Sequence, residues 1–164
     1  MRKQVRDLYF DESLILKDLQ AQSPDEVLEL MAANLLAKGL VKESFVTAVV
    51  DREGKFATGL PTHGVSVAIP HTDPEHVKHQ TLSLGILKEP VDFGIMGEAT
   101  AQTPVKLVFM LAMAEQDSQL SLLQKLMGIF QNPEILWSLA ESEDRSHIKR
   151  ILVDQLAVIV KEVN

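Results

Sequence analysis

Cysteine is absent from this sequence of 164 residues. Its absence excludes disulfide bonds and thiolate metal sites, and it suits a protein that works in a reducing compartment. Basic residues are outnumbered, with 16 Lys and Arg against 23 Asp and Glu and a formal net charge of −7. This balance argues against a nucleic-acid-binding protein, because phosphate backbones select surfaces rich in lysine and arginine.

Long apolar runs are also missing. The longest, residues 107–114, is far shorter than the roughly 20 residues that a membrane helix needs. Residues 1–7 are basic but lack the apolar stretch of a secretion signal, so we expect a cytoplasmic protein. With 46% hydrophobic residues, the chain can bury one sizeable core. Nothing demands a second domain, and we therefore expect a single domain over residues 1–164.

Helix signals recur along the chain. A serine or asparagine followed by proline, at 23–24 and 132–133, caps a helix and fixes its first turn. Apolar residues three or four apart then predict one buried helix face. We predict five helices: from Ser23 to just before Gly39, over 41–53, from Asp117, from Asn132, and over 144–163. Trp137 is expected to pack inward from the fourth. The predicted inner face of the third consists of Leu120, Leu123, Leu126, Met127 and Phe130.

Short runs of β-branched residues and leucine lie between these helices. They predict strands at 14–16, 65–69, 81–87 and 105–112, and one more at 91–93 inside a loop over 90–103. Strands that alternate with helices indicate an α/β fold. We expect a three-layer α/β/α sandwich with a mixed central sheet of about five strands.

His71 directly follows a strand that ends in a proline. Pro70 fixes its own φ near −65°, and Asp73-Pro74 starts a loop at once. Open α/β sheets usually carry their ligand sites at the carboxyl ends of strands. Imidazole is largely neutral near pH 7 and is a nucleophile that needs little activation. His71 is therefore either the reacting group itself or a turn histidine that merely caps a strand.

The residues around His71 resemble the active-site signature of the sugar phosphotransferase enzyme IIA proteins, in the fructose–mannitol superfamily. The resemblance covers nearly the whole chain, and its details are most similar to the galactitol-type branch. The matching segments are Arg52-Glu53, T-G-L-P at 58–61, V-A-I-P-H-T at 67–72 and P-H-T-D-P-E-H-V at 70–77.

This resemblance implies a function. His71 would take a phosphoryl group from a histidine-containing phosphocarrier protein and pass it to a cysteine of enzyme IIB. The membrane permease, enzyme IIC, would use that phosphate for the uptake of a hexitol or related sugar such as galactitol. No nucleic acid takes part. A different role is open as well, because some relatives are regulatory domains that sense phosphorylation state without feeding a transporter.

The resemblance also implies supporting roles. Arg52 would hold phosphate oxygens with its planar guanidinium, although it can also be read as a surface arginine that ends a helix. Thr58 would donate its hydroxyl to phosphate, or it is an ordinary loop hydroxyl that satisfies nearby backbone. Gln119 stands where mannitol-type members carry a second histidine, and its amide can bond a phosphate oxygen without carrying charge. His76 would also support the phosphate. His63 is the less favoured candidate of the two, because it lies in the part of the signature loop that varies in length across the family.

A metal site is the remaining alternative. Four histidines lie close together in sequence with Asp73 and Glu75 among them, namely His63, His71, His76 and His79. Imidazole is the commonest metal ligand, but this segment offers neither a helical H-E-x-x-H pair nor a cysteine pair. We therefore expect no functional metal and no cofactor.

Overall fold

The computed structural model describes residues 5–163. The expected domain over 1–164 and the expectation of no secretion signal extend to residues outside this range. The strands are β1 (Leu8–Tyr9), β2 (Ile15–Leu19), β3 (Gly59–Leu60), β4 (Ser66–Ala68), β5 (Thr81–Gly94), β6 (Gln102–Ala112) and β7 (Val160–Lys161). The helices are α1 (Pro24–Ala37), α2 (Ser44–Lys55), α3 (Gln116–Phe130), α4 (Pro133–Glu141) and α5 (Arg145–Leu156).

The strands form one mixed sheet in the order β3-β4-β6-β5-β1-β7, with β2 also paired to β5. The two long central strands, β5 and β6, are antiparallel to each other, whereas β4 runs parallel to β6. The mixed sheet was predicted, but within residues 5–163 it has seven strands instead of about five, and the predicted run at 91–93 is part of β5. The additional strands are β1, β3 and β7, which have two residues each and carry too little pattern to be recognised.

Helices cover both faces of this sheet. Gly85 in β5 pairs with Val108 in β6, and Phe109, the next residue, points to the opposite face because side chains alternate along a strand. A Cβ at Gly85 would lie only 2.7 Å from the sulfur of Met31 in α1. The ring of Phe109 instead packs 5.2 Å from that of Phe130 in α3. The helices α1 and α3 therefore lie on opposite faces, which confirms the three-layer α/β/α sandwich.

Most predicted helix starts are confirmed. The Ser23 hydroxyl accepts a hydrogen bond from the Glu26 N–H, and Gly39 follows the helix with a φ of 73°. The Asn132 side chain accepts the N–H groups that open α4. The helix predicted over 41–53 exists as α2, but it begins at Ser44 and ends at Lys55, because Val41 bridges to Val77; Arg52 lies in its last turn as predicted.

Two boundary predictions were wrong. The predicted loop over 90–103 is confined to 95–101, because β5 continues to Gly94 and β6 begins at Gln102. The strand predicted at 91–93 exists, but it is the end of β5, where Val91 pairs with Val105 of β6. A register shift between Ile86 and Val91 accommodates the proline there, since proline is tolerated in a sheet at bulges. The last helix ends at Leu156 instead of near 163, because Ala157 adopts a left-handed conformation with a φ of 52°.

The predicted inner face of α3 was wrong in part. The helix begins after Glu115, and Asp117 lies in its first turn instead of capping it. Leu120 is 58% exposed and Met127 is 40% exposed, so both face away from the sheet. Trp137 of α4, expected to pack inward, is 51% exposed. Exposed apolar residues give the same periodic signal as buried ones, which is why the pattern misassigned these faces.

The sheet places the candidate site at the carboxyl end of β4. His71 forms a parallel bridge with Leu111 of β6, and the Leu111 N–H donates to the Pro70 carbonyl at 3.0 Å. Beyond it, Val77 bridges to Val41 just before α2. The loop that carries His71 is thus held at both ends. Within residues 5–163, no helix combines the length and the apolar character needed to cross a membrane.

Candidate active site

The imidazole of His71 is held in one orientation by its own backbone. Its Nδ1 lies 2.8 Å from the carbonyl oxygen of Ile69. A carbonyl oxygen only accepts hydrogen bonds, so Nδ1 must carry the proton in this contact. In the neutral ring, Nε2 is then the basic nitrogen and offers the lone pair. The proline between the two residues, whose φ is restricted, helps to fix this geometry.

The surroundings also favour the neutral form of His71. Burial has the largest effect and lowers the pKa of the imidazole below its ordinary value of 6.5. The hydrogen bond to Ile69 raises this pKa, the positive charge of Arg52 lowers it, and Asp73 raises it. The net direction is downward, so His71 is neutral near pH 7. A neutral imidazole is the nucleophilic form.

Arg52 stands in the last turn of α2, and its charge acts on His71. The guanidinium carbon lies 5.3 Å from the centre of the Phe56 ring, one helical turn further on. The Nε of Arg52 is buried and has no hydrogen-bond partner among the described residues. A buried donor without a partner is unusual in a folded protein and is often explained by a ligand that the structure does not contain. Arg52 can therefore receive the oxygens of an anion.

The N–H and the hydroxyl of Thr58 both form hydrogen bonds within the protein. Its hydroxyl donates to Glu53 Oε1 at 2.8 Å, and its N–H donates to Glu53 Oε2 at 2.7 Å. The same hydroxyl oxygen accepts the Ile69 N–H at 3.2 Å. The single hydroxyl hydrogen is thus committed to Glu53. In this structure Thr58 satisfies its neighbours and does not offer that hydrogen to a phosphate.

Glu53 is a site residue that sequence reasoning missed. Its side chain is buried, with 8% of the residue exposed, and burial raises the pKa of its carboxyl above the ordinary 4.5. The hydrogen bonds from Thr58 and the charge of Arg52 lower this pKa in part. Only its position next to Arg52 in the signature marked it, since nothing in the local sequence shows that it is buried.

Gln119 lies in the first turn of α3, directly after β6. Because β4 and β6 are parallel, their carboxyl ends lie at the same edge of the sheet, and Gln119 is therefore at the edge that carries His71. Its Oε1 is buried without a hydrogen-bond partner among the described residues. This oxygen is an acceptor, so it is available to a donor group and not to a phosphate oxygen.

The other two candidate histidines, His76 and His63, have different surroundings. His76 contacts Ser44 at the start of α2, with Nδ1 2.8 Å from the hydroxyl oxygen. Ser44 and Arg52 are about 12 Å apart along the helix axis. The structure therefore places His76 towards the end of α2 away from Arg52. His63 lines a groove with Leu60 and Met127 instead. Within residues 5–163, no three His, Cys, Asp or Glu side chains are grouped so that they could hold a metal ion.

Comparisons with known proteins identify the family of this chain. Residues 8–155 match the family model described as "Phosphoenolpyruvate-dependent sugar phosphotransferase system, EIIA 2". The chain is 30% identical over 132 residues to the PTS system galactitol-specific EIIA component of Escherichia coli K12, covering 79% of this chain and 87% of that protein.

Two solved structures have the same fold. Nitrogen regulatory protein IIA-Ntr from Neisseria meningitidis is 27% identical with a TM-score of 0.70, covering 88% of this chain and 95% of that one. Enzyme IIAMtl of Escherichia coli, solved in complex with phosphorylated enzyme IIBMtl, is 20% identical with a TM-score of 0.71, covering 92% and 98%. The chain therefore belongs to the EIIA 2 family of the phosphoenolpyruvate-dependent sugar phosphotransferase system, whose members are phosphotransferases that act through a phosphohistidine.

Proposed function

We propose that this protein accepts a phosphoryl group on Nε2 of His71 from a histidine-containing phosphocarrier protein and passes it to a cysteine of an enzyme IIB. The observation that carries this proposal is the contact between Nδ1 of His71 and the Ile69 carbonyl. It leaves one nitrogen with a free lone pair on a ring that burial keeps neutral. Family membership supports the same reaction class.

The transfer needs no proton to move. The Nε2 lone pair attacks the phosphorus of the donor's phosphohistidine, an Nε2–P bond forms, and the donor's P–N bond breaks with its electron pair returning to the donor imidazole. In the second step the thiolate of enzyme IIB attacks the same phosphorus, and the electron pair of the Nε2–P bond returns to His71. Throughout, the hydrogen stays on Nδ1 and remains donated to the Ile69 carbonyl. Such reactions depend chiefly on positioning and on stabilising charge on the equatorial oxygens.

Arg52 and Gln119 are the proposed ligands for those oxygens. Arg52 carries a buried Nε donor without a hydrogen-bond partner among the described residues, and its charge acts on His71. Gln119 belongs to α3, which begins at the edge carrying His71. Its unpartnered atom is Oε1, which cannot bond a phosphate oxygen, so its proposed role rests on the position of its amide nitrogen. The guanidinium supplies positive charge, while the amide supplies a neutral N–H. Thr58 and His76 are left out of this set, because their polar groups already contact Glu53 and Ser44. His63 lies at the margin and remains a weak candidate.

Exposed apolar side chains close to Arg52, beside β3 and along α3 provide a surface for two partners in turn. Phe56 packs on Arg52. The Met96 N–H donates a hydrogen bond to the Gly59 carbonyl at 2.9 Å. Leu120 and Met127 lie on α3, which starts at the edge carrying His71. Together they form what we name the docking face: Phe56, Met96, Leu120 and Met127. A phosphocarrier and an enzyme IIB would each bind here transiently, through an interface of modest area.

The finer assignment is to galactitol or a related hexitol, in the cytoplasm, with residues 1–164 acting as one domain. The galactitol-specific relative supports the sugar class, and the match over 8–155 supports the single domain. A regulatory role without transport is the second candidate, favoured by the likeness to nitrogen regulatory protein IIA-Ntr.

Transfer to a IIB protein separates the two roles. The phosphorylated protein is mixed with a purified galactitol-type enzyme IIB and with its cysteine-to-serine variant as control. We expect the phosphoryl group to move to the cysteine of enzyme IIB, and to remain on this protein when the serine variant is used. If neither the galactitol-type nor a mannitol-type IIB accepts it, the transport role is wrong.

A further inference from the structure

Glu53 is a buried carboxylate for which the transfer step itself has no use. It lies directly after Arg52 in α2 and contacts Thr58 with both of its oxygens, at 2.7 and 2.8 Å. Thr58 presents two donors, an N–H and an O–H. Two donors are matched by a carboxylate with two accepting oxygens, whereas an amide would present one donor to one of them.

Thr58 is bound in turn to the segment that carries His71. The Ile69 N–H lies 3.2 Å from the Thr58 hydroxyl oxygen and 3.4 Å from the Thr58 carbonyl oxygen. The carbonyl of the same Ile69 accepts the Nδ1 hydrogen of His71 at 2.8 Å. A continuous chain of hydrogen-bonded groups thus runs from Glu53 through Thr58 and Ile69 to the imidazole.

We infer that Glu53 is a positioning residue for the phosphoryl transfer, holding His71 through Thr58 and Ile69 so that Nδ1 stays protonated and Nε2 points its lone pair at the incoming phosphorus. The inference rests on the proposed role of His71 as phosphoryl acceptor. The chain also joins two elements, because Glu53 shares the last turn of α2 with Arg52. One carboxylate therefore fixes the nucleophile relative to the proposed phosphate ligand.

A simpler explanation is that Glu53 only stabilises the loop after α2 by hydrogen-bonding Thr58 to the helix. The two explanations differ in what they predict for His71. A purely structural tie would change stability and leave the ring and its reaction alone. A positioning residue changes the ring's preferred protonated nitrogen and the rate at saturating partner, with little change in KM, because the docking face is untouched.

The test compares Glu53→Gln with Asp51→Asn, an exposed carboxylate on the other side of Arg52 that contacts neither Thr58 nor Ile69 in the structure. Both substitutions remove one negative charge next to Arg52, and only the first changes the chain to His71. The measurements are kcat and KM for phosphorylation by the donor, together with the ¹⁵N shifts of the His71 ring.

We expect Glu53→Gln to lower kcat by on the order of 10- to 100-fold with KM nearly unchanged, and to shift the ring nitrogens towards a mixture of tautomers. Asp51→Asn should match the wild type in both. Wild-type kcat and wild-type ring shifts in Glu53→Gln would overturn the inference, and so would equal losses in the two variants.

Because a buried substitution can prevent folding, Thr58→Val provides a second route. It removes the hydroxyl that links Glu53 to Ile69 at nearly constant volume, and Thr58→Ser restores that hydroxyl. We expect the valine variant to lose kcat and the serine variant to recover most of it; equal rates in the two would overturn the inference. If the wild type is labelled at a residue other than His71, the proposed function fails instead.

Discussion

His71 owes its reactive form to two features that act on different atoms of the ring. Burial disfavours the charged imidazole and lowers its pKa, whereas the Ile69 carbonyl decides which nitrogen keeps the proton. The first feature provides a lone pair near pH 7, and the second assigns it to Nε2. Both depend on the short connection between Ile69 and His71, because Pro70 restricts the backbone between them.

The lowered pKa of His71 predicts how stability depends on pH. Between the ordinary value of 6.5 and the lower folded value, the unfolded chain binds the proton and the folded protein does not. Stability from neutral His71 is therefore fully present above about pH 6.5 and is lost as the pH falls towards the folded pKa. We expect wild type to lose more free energy of unfolding than His71→Gln when urea unfolding is compared at about pH 7.5 and about pH 5.5. Equal losses in the two proteins would contradict the lowered pKa.

Arg52→Lys separates a phosphate ligand from a helix-ending cation. Lysine keeps the charge but lacks the planar fork that grips two oxygens. We expect transfer in both directions to slow by on the order of 10²-fold, with a stability change of at most about 0.5 kcal/mol.

Lys55→Gln, in the same last turn of α2, is the matched control and should transfer at the wild-type rate. Stopped reactions followed by gel separation of the phosphorylated form measure both variants. If the Arg52→Lys variant is as fast as wild type, Arg52 only ends its helix.

At the scale of elements, the sequence predicted helix boundaries correctly where one side chain hydrogen-bonds backbone groups close to it in sequence. The caps at Ser23 and Asn132 bond N–H groups two or three residues ahead, so the sequence alone reveals them. The end of α5 at Ala157 has no such signal, since a left-handed alanine looks like any helix former. The continuation of β5 through Pro90 depends on pairing with β6, which no local pattern contains.

The candidate site shows the same division. His71 and its place at a strand end were predictable, because a β-branched run followed by proline is a local pattern. The contacts that set its chemistry were not. Glu53 meets Thr58 only after the chain has left α2, and Thr58 meets Ile69 only once β3 and β4 have paired. These contacts depend on tertiary structure, so the sequence could not decide between the two interpretations of Thr58, and Glu53 was overlooked.

The exposed face of α3 yields a prediction about docking. Leu120 is exposed on the helix that starts beside the site, whereas Leu30 is exposed on α1, which covers the other face of the sheet. We expect Leu120→Ser to raise KM for the phosphocarrier severalfold and Leu30→Ser to leave it unchanged. Both should keep their thermal stability to within about 0.5 kcal/mol, since neither residue is in the core. An unchanged KM in Leu120→Ser would remove α3 from the docking face.

In the molecule as a whole, the proposed reaction uses one nitrogen of the protein for two different partners. In that reaction the donor brings a phosphoryl group to His71 and the acceptor brings its thiolate to the same phosphorus, so we expect their footprints to overlap at the end of β4 and along the docking face. NMR titrations with the phosphocarrier and with enzyme IIB should shift a common set of amides within residues 58–76. Two separate patches would show that this single-site account of transfer is wrong.

Direct mapping of the phosphoryl group tests the central claim. The protein is phosphorylated with phosphoenolpyruvate and the general phosphocarrier components, then analysed by mass spectrometry under alkaline conditions and by ³¹P and ¹⁵N NMR. The account predicts one acid-labile, alkali-stable group, bonded to Nε2 of His71 and absent from His71→Ala. Full labelling of His71→Ala, or a phosphoryl group on Nδ1, would contradict it.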